Sequence, residues 1–219
     1  GNMAFIFFFF FNPDELIQKI DKAFLYMTAQ PVNEYEGPKE QPITSPIEKD
    51  VVGPDAEYLQ MGFRLPGISD YQSTITLSVV DQLLSNGKAG LMDINLNKQQ
   101  KVLSSGTGLQ YWKDYSLFIL TGKAKDGQSL EEVKNLLLSQ LDLLAKGKFD
   151  ETLIKAIVSN FKLYELEGLE SNDNRANSLM NSFIQHKGMM WDKDVAFVDN
   201  MSKVKKQQVV DYVNKYLLN

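Results

Sequence analysis

The 219-residue chain contains no cysteine and one histidine. Without a thiol it can form no disulfide scaffold, iron–sulfur cluster or thiol nucleophile. With His186 as its single imidazole, a zinc site built on two or three histidines is excluded. Basic residues are also short. There are 23 Lys+Arg against 28 Asp+Glu, a formal net charge of −5. A dedicated nucleic-acid binder needs a cationic surface to displace counterions, so no nucleic-acid partner is expected. No stretch approaches the roughly 20 apolar residues of a membrane helix, and no membrane partner is expected either. A cysteine-free chain suits a reducing cytosol or a bacterial periplasm equally, which leaves localisation undecided.

What is present is enough for one packed body. At roughly 150 residues per domain, the length suggests one large domain or two small ones. The apolar run 4–11, with Phe7–Phe11 consecutive, lacks a basic flank and a small-residue cleavage site. It reads as a strand covered on both faces, closed by Asn12-Pro13. Gly1 has no initiator Met before it and reads as a cloning remnant, with native sequence expected upstream.

Asn12-Pro13-Asp14-Glu15 is a helix start with cap, proline and capping-box glutamate. Leu16, Ile17, Ile20, Ala23 and Phe24 follow on one helical face. Four of the seven prolines, Pro31, Pro38, Pro42 and Pro46, then mark an extended connection. Strands are expected over 47–52 and 57–64, a helix with the stripe Ile75, Val79, Leu83 and Leu84, and a short helix over 91–97. A hairpin is expected over 102–112 and 115–123, turning at Lys113-Asp114. Ser129-Leu130-Glu131-Glu132 is a second capping box, and Phe149-Asp150-Glu151 opens the longest helix. Gly168 is expected to kink that helix, and two short helices near 194–203 and 206–217 finish the chain. Strands and helices cluster separately. The fold class is therefore α+β, a mixed, largely antiparallel sheet with helices packed on one face.

Side-chain chemistry is sparse. His186 has no Ser or Asp at a motif spacing and reads as a helix-end residue. Ser105-Gly106-Thr107-Gly108 lacks the Lys-Ser/Thr of a phosphate loop and leads into a strand. Gly87-Lys88-Ala89-Gly90 reads as helix termination. Glu165, Glu167, Glu170 and Asp173 have no calcium-loop spacing, and with the basic cluster Lys203, Lys205 and Lys206 they read as solvated faces. The polar run 171–177 is read as a helix-to-helix corner, with a cavity-facing patch as the alternative.

In combination these segments resemble the C-terminal, non-catalytic domain of the insulinase/pitrilysin-type zinc peptidases, which include the mitochondrial processing peptidases. The match runs from Asn2-Met3-Ala4 through Asn12-Pro13-Asp14-Glu15-Leu16-Ile17 to Met61-Gly62-Phe63-Arg64-Leu65-Pro66. It continues through Leu83-Leu84-Ser85-Asn86-Gly87-Lys88-Ala89-Gly90-Leu91, Leu130-Glu131-Glu132-Val133 and Phe149-Asp150-Glu151. Glu170-Ser171-Asn172 and Arg175-Ala176-Asn177 complete it. Order and spacing carry the resemblance more than any one motif.

The resemblance implies a single non-catalytic domain over 1–219, a fragment of a longer chain, with the metallohydrolase-like fold of the processing peptidases. It implies no catalysis from this chain alone. The zinc and the His-x-x-Glu-His motif belong to a catalytic domain in the same chain or a partner subunit. This domain would enclose and position an extended peptide substrate; the alternative is a purely structural scaffold or peptide-binding domain without proteolysis. A bacterial periplasmic or cell-envelope location is implied over the cytoplasm. In many members the domain lends an Arg and a Tyr to the substrate. By the resemblance those positions fall on Asn97 and Ser104, both substituted, and no Arg lies between Arg64 and Arg175. Asn offers no guanidinium fork, and Ser lacks a phenol's reach. Phe10-Phe11 replaces the family's Gly-Asp, which implies heavier packing there.

Overall fold

A computed structural model describes residues 3–28, 30–31, 33, 37–38, 40–54, 56–186 and 190–218. Its centre is a three-stranded antiparallel sheet in the order β1 (Tyr58–Pro66), β3 (Tyr115–Lys123), β2 (Ser104–Tyr111). The period-2 pattern of β3 sets its two faces: Ser116, Phe118, Leu120 and Gly122 are buried, and the residues between them are half-buried. In register beside them stand Leu65, Phe63, Met61 and Leu59 of β1 and Tyr111, Leu109, Thr107 and Ser105 of β2.

A helical layer lies on that face, two of its helices (Tyr71–Leu84 and Leu130–Ala145) against the strands and the others packed on those. Its helices are α2 (Tyr71–Leu84), α3 (Leu130–Ala145), α4 (Thr152–Leu169) and α8 (Lys206–Tyr216), with α5 (Asn172–His186), α6 (Trp191–Val195) and α7 (Phe197–Met201) between the last two. The stripe Val133, Leu137, Leu141 and Leu144 of α3 is fully buried. Gly122 sits beneath it, where a β-carbon would stand 2.5 Å from Val133 Cγ1. The Ser129–Glu132 capping box forms as the sequence implies. Ser73 of α2 and Tyr212 of α8 share a buried hydroxyl–hydroxyl bond of 3.0 Å. Burial pushes the Tyr212 phenol up to about 12, against the lowering effect of that bond.

Several expectations change. Residues 4–11 form no strand; they lie beside helix α1 (Pro13–Ala23), capped by Asn12 Oδ1 with Asp14 N at 3.0 Å. The Phe5 and Phe24 rings meet at 5.2 Å, so the run packs on its own helix and finds no ladder partner among the described residues. Phe10 is fully exposed and Phe11 is 40% exposed, the reverse of the heavier packing expected. Residues 47–52 are irregular and exposed: Val51 and Val52 meet no covering surface. α4 ends at Leu169 instead of kinking at Gly168, and α5 starts inside the polar run, at Asn172. The helix expected over 194–203 is two pieces, α6 and α7.

Candidate functional site

Asp93 organises the approach to β2. It is buried, and its Oδ2 accepts from Asn86 N (2.9 Å) and Gly90 N (3.1 Å). Asn86 Oδ1 in turn accepts from Lys88 N (3.0 Å) and Ala89 N (2.9 Å). The loop after α2 is thus held by two side chains. Gly90 is obligatory, because a β-carbon there would stand 2.5 Å from Leu84 O. Gly87 takes φ +77, which glycine adopts without strain. The helix-termination reading of this stretch holds.

Asp93–Asn97 is a π-helical turn. It delivers Asn97 to the outer side of β2. There Asn97 Nδ2 donates to Ser105 O (2.9 Å), while Oδ1 accepts from Ser105 N (2.8 Å) and Ser105 Oγ (2.9 Å). The amide side chain acts as one residue of a neighbouring strand. Trp112 N donates to Tyr115 O at the hairpin, which fixes the parity of the ladder. Thr107 and Leu109, of the same parity as Ser105, therefore turn their backbone groups to the outside, as do Gln60, Gly62 and Arg64 on β1.

Ser104 is exposed beside Asn97's partner. It borders a hollow of about 530 Å³ on the sheet face away from the helices, with Tyr58, Gln60, Thr121 and Lys123. The two expected positions are thus brought to one end of the sheet, Asn97 at its edge and Ser104 at its face. Sequence reasoning missed Asp93 and the double bond from Asn97 to Ser105.

A second groove of about 470 Å³ gathers Tyr71, Tyr111, Phe161, Glu165, His186 and Asp194. His186 is indeed the last residue of α5. Tyr111 and Ser78 share a 2.9 Å bond, and burial pushes the Tyr111 phenol well above its usual value. Glu165, Glu167, Glu170 and Asp173 are exposed. Lys206 departs from the solvated reading: its Nζ donates to Phe149 O at 2.8 Å. Among the described residues no three carboxylate or histidine groups come together to hold a metal.

A family profile described as "Peptidase M16 inactive domain" matches residues 1–161. The chain belongs to that family. No curated protein matches. Among solved structures, a protease from Helicobacter pylori superposes with a TM-score of 0.66 at 17% identity, over 73% of this chain and 38% of that one. The inactive peptidase domain of a candidate zinc protease from Bordetella parapertussis gives 0.62 at 12% identity, over 73% and 85%. The periplasmic protease PqqL from Escherichia coli gives 0.58 at 16% identity, over 74% and 18%. The M16 chain thus spans well under half the length of the Helicobacter and Escherichia proteins it matches. These likenesses agree on the α+β fold. Among the described residues no helix is long and apolar enough to cross a membrane.

Proposed function

We propose that this M16 inactive domain encloses and positions an extended peptide for a zinc-bearing catalytic domain supplied by the same chain or by a partner subunit. The observation that carries the reading is Asn97. At the position matching the family's arginine, its amide is committed to Ser105 and is not left to reach a substrate. Ser104, at the position matching the tyrosine, has only a hydroxyl to offer. The domain then contributes shape and backbone contacts, not stabilisation of reacting atoms. An extended peptide pairs with the outward groups of Thr107 and Leu109 on β2, and Asn97 stops that pairing at Ser105. The Escherichia neighbour's periplasmic description fits a cell-envelope location.

The test has two arms. Fluorescent unfolded peptides titrated against the chain should bind at micromolar levels, and metal analysis should find no stoichiometric zinc. One tight zinc per chain overturns the proposal. No binding at millimolar peptide moves the assignment to a structural scaffold. A His-x-x-Glu-His motif encoded upstream or in the neighbouring gene supports the peptidase assignment.

A further inference from the structure

A carboxylate without a cation stands under the free part of β2. Asp81 of α2 is half-buried. Gln82 Nε2 donates to its Oδ2 at 3.0 Å, and the Thr107 hydroxyl donates to it from β2. One turn back along α2, Ser78 bonds the Tyr111 phenol. All of these neighbours are neutral. Among the described residues Asp81 enters no ion pair. A carboxylate offers about four acceptor sites, and Gln82 and Thr107 fill two of them. A half-buried charge met only by neutral donors gains from a cation brought to it. The upward push of burial on the Asp81 carboxyl agrees with that deficit.

The ladder fixes where such a cation comes from. Thr107 turns its side chain to the helix-covered face, in register with buried Leu120, and its backbone groups to the outside. A strand laid on that edge puts the residue paired with Thr107 on the same face, with β-carbons about 5 Å apart. Its side chain then lies beside the Asp81 carboxylate, within reach of a long basic group. Asn97 already holds Ser105, so pairing runs from Thr107 toward Tyr111 and cannot pass Asp81 by. On the opposite face the peptide lies over Gly108, where a β-carbon would meet nothing nearer than 4.0 Å, so that face sets no size limit. The helix-covered side of β1 presents Leu59, Met61 and Phe63 instead, with no carboxylate among them. We propose that Asp81 makes the β2 edge selective for extended peptides carrying an arginine or lysine opposite Thr107. The inference rests on the peptide-enclosing role and names its substrate class.

Paired peptides test this. Short dansylated peptides of Thr, Val and Ser, with either arginine or norleucine at the centre, are titrated against the chain at pH 7. The arginine peptide should bind about 10-fold more tightly, the worth of one charge-assisted hydrogen bond. Its binding should slow amide exchange at Thr107 and Leu109 and leave Gln60 and Gly62 as they were. In Asp81→Asn the preference should fall below about twofold. Asp173→Asn removes the same charge from the exposed start of α5 and should keep the preference. Equal binding of the two peptides overturns the inference and leaves the enclosing role standing. A preference that survives Asp81→Asn, or that Asp173→Asn abolishes equally, assigns it to net charge and also overturns the inference. Protection at Gln60 and Gly62 instead of Thr107 moves the peptide to β1 and does the same. If neither peptide binds, the enclosing role and the selectivity fall together.

Discussion

Val79 and Val52 are the same side chain in opposite circumstances. Val79 is fully buried between sheet and helices, and Val52 is 99% exposed in the connection before β1. The contrast extends to whole regions. In β3, α2 and α3 the apolar residues at period 2 or 3.6 meet a facing surface, and Phe118, Leu120, Ile75, Val79, Val133 and Leu137 are fully buried. Before β1 the chain is as apolar, yet Ile43, Ile47 and Val51 meet none. Apolar patterning proposes a buried face; burial requires a second layer at the right distance. The stretch before β1 has the pattern without the layer.

The largest test of the contrast removes a ring from the packed region. Phe118 is fully buried at the centre of β3, against Phe63 at 6.2 Å. Phe118→Ala should destabilise the fold by about 3–5 kcal/mol through lost transfer and a residual cavity. Val52→Ala should stay within about 0.5 kcal/mol. Urea midpoints at unchanged slope measure both. A Val52 effect as large as 2 kcal/mol would show a covering layer over the connection.

Overfilling comes next. In Gly122→Ala the new methyl would stand 2.5 Å from Val133 Cγ1 and 3.1 Å from Leu137 Cδ1. The sheet and α3 must separate, at a cost of about 1–3 kcal/mol. Pairing it with Val133→Ala should recover part of the loss, because the methyl then has room. Additive losses in that double-mutant cycle would refute direct contact.

Asn97→Ala probes the closed edge of β2. It removes an amide that holds three Ser105 atoms, and a cost of about 1–2 kcal/mol is expected. Faster amide exchange at Ser105, with Gly106 unchanged, is the specific sign. If peptide affinity at β2 rises in the same variant, Asn97 is the stop that limits pairing.

Legibility in the sequence follows the range of the interaction. The Ser129–Glu132 box, the α3 stripe and the β3 alternation depend on residues at most a few turns away, and they read directly from spacing. The hairpin at Lys113-Asp114 is likewise local. Asn97 reaches Ser105 only because a π-helical turn follows a loop held by buried Asp93, and no periodicity encodes that turn. The second groove joins Tyr71 to His186 through the whole helical layer, beyond any sequence window. The opening run failed differently. Its composition reads as a buried strand, but burial depends on a partner edge that composition does not specify. The family resemblance drew on order along the chain and so did not depend on these contacts.

The smallest expected effect concerns Asp81, on α2 against β2. Burial holds its carboxyl above the usual carboxylate range, while hydrogen bonds from Thr107 and Gln82 pull it down. Because the folded chain binds this proton more readily than the unfolded chain, Asp81 favours the fold below the ordinary carboxylate value of 3.8. That contribution is lost as pH rises through the raised value. Asp81→Asn removes the charge whose burial is unfavourable. It should therefore match the parent at low pH and exceed it near neutrality, by under about 1 kcal/mol. Thr107→Val removes the main opposing bond and should steepen the parent's loss with rising pH. Chemical denaturation from pH 3 to pH 7 reads both variants. An Asp81→Asn advantage that is greatest at pH 3 would reverse the sign and show the carboxylate to be stabilised, not strained, by its place under β2.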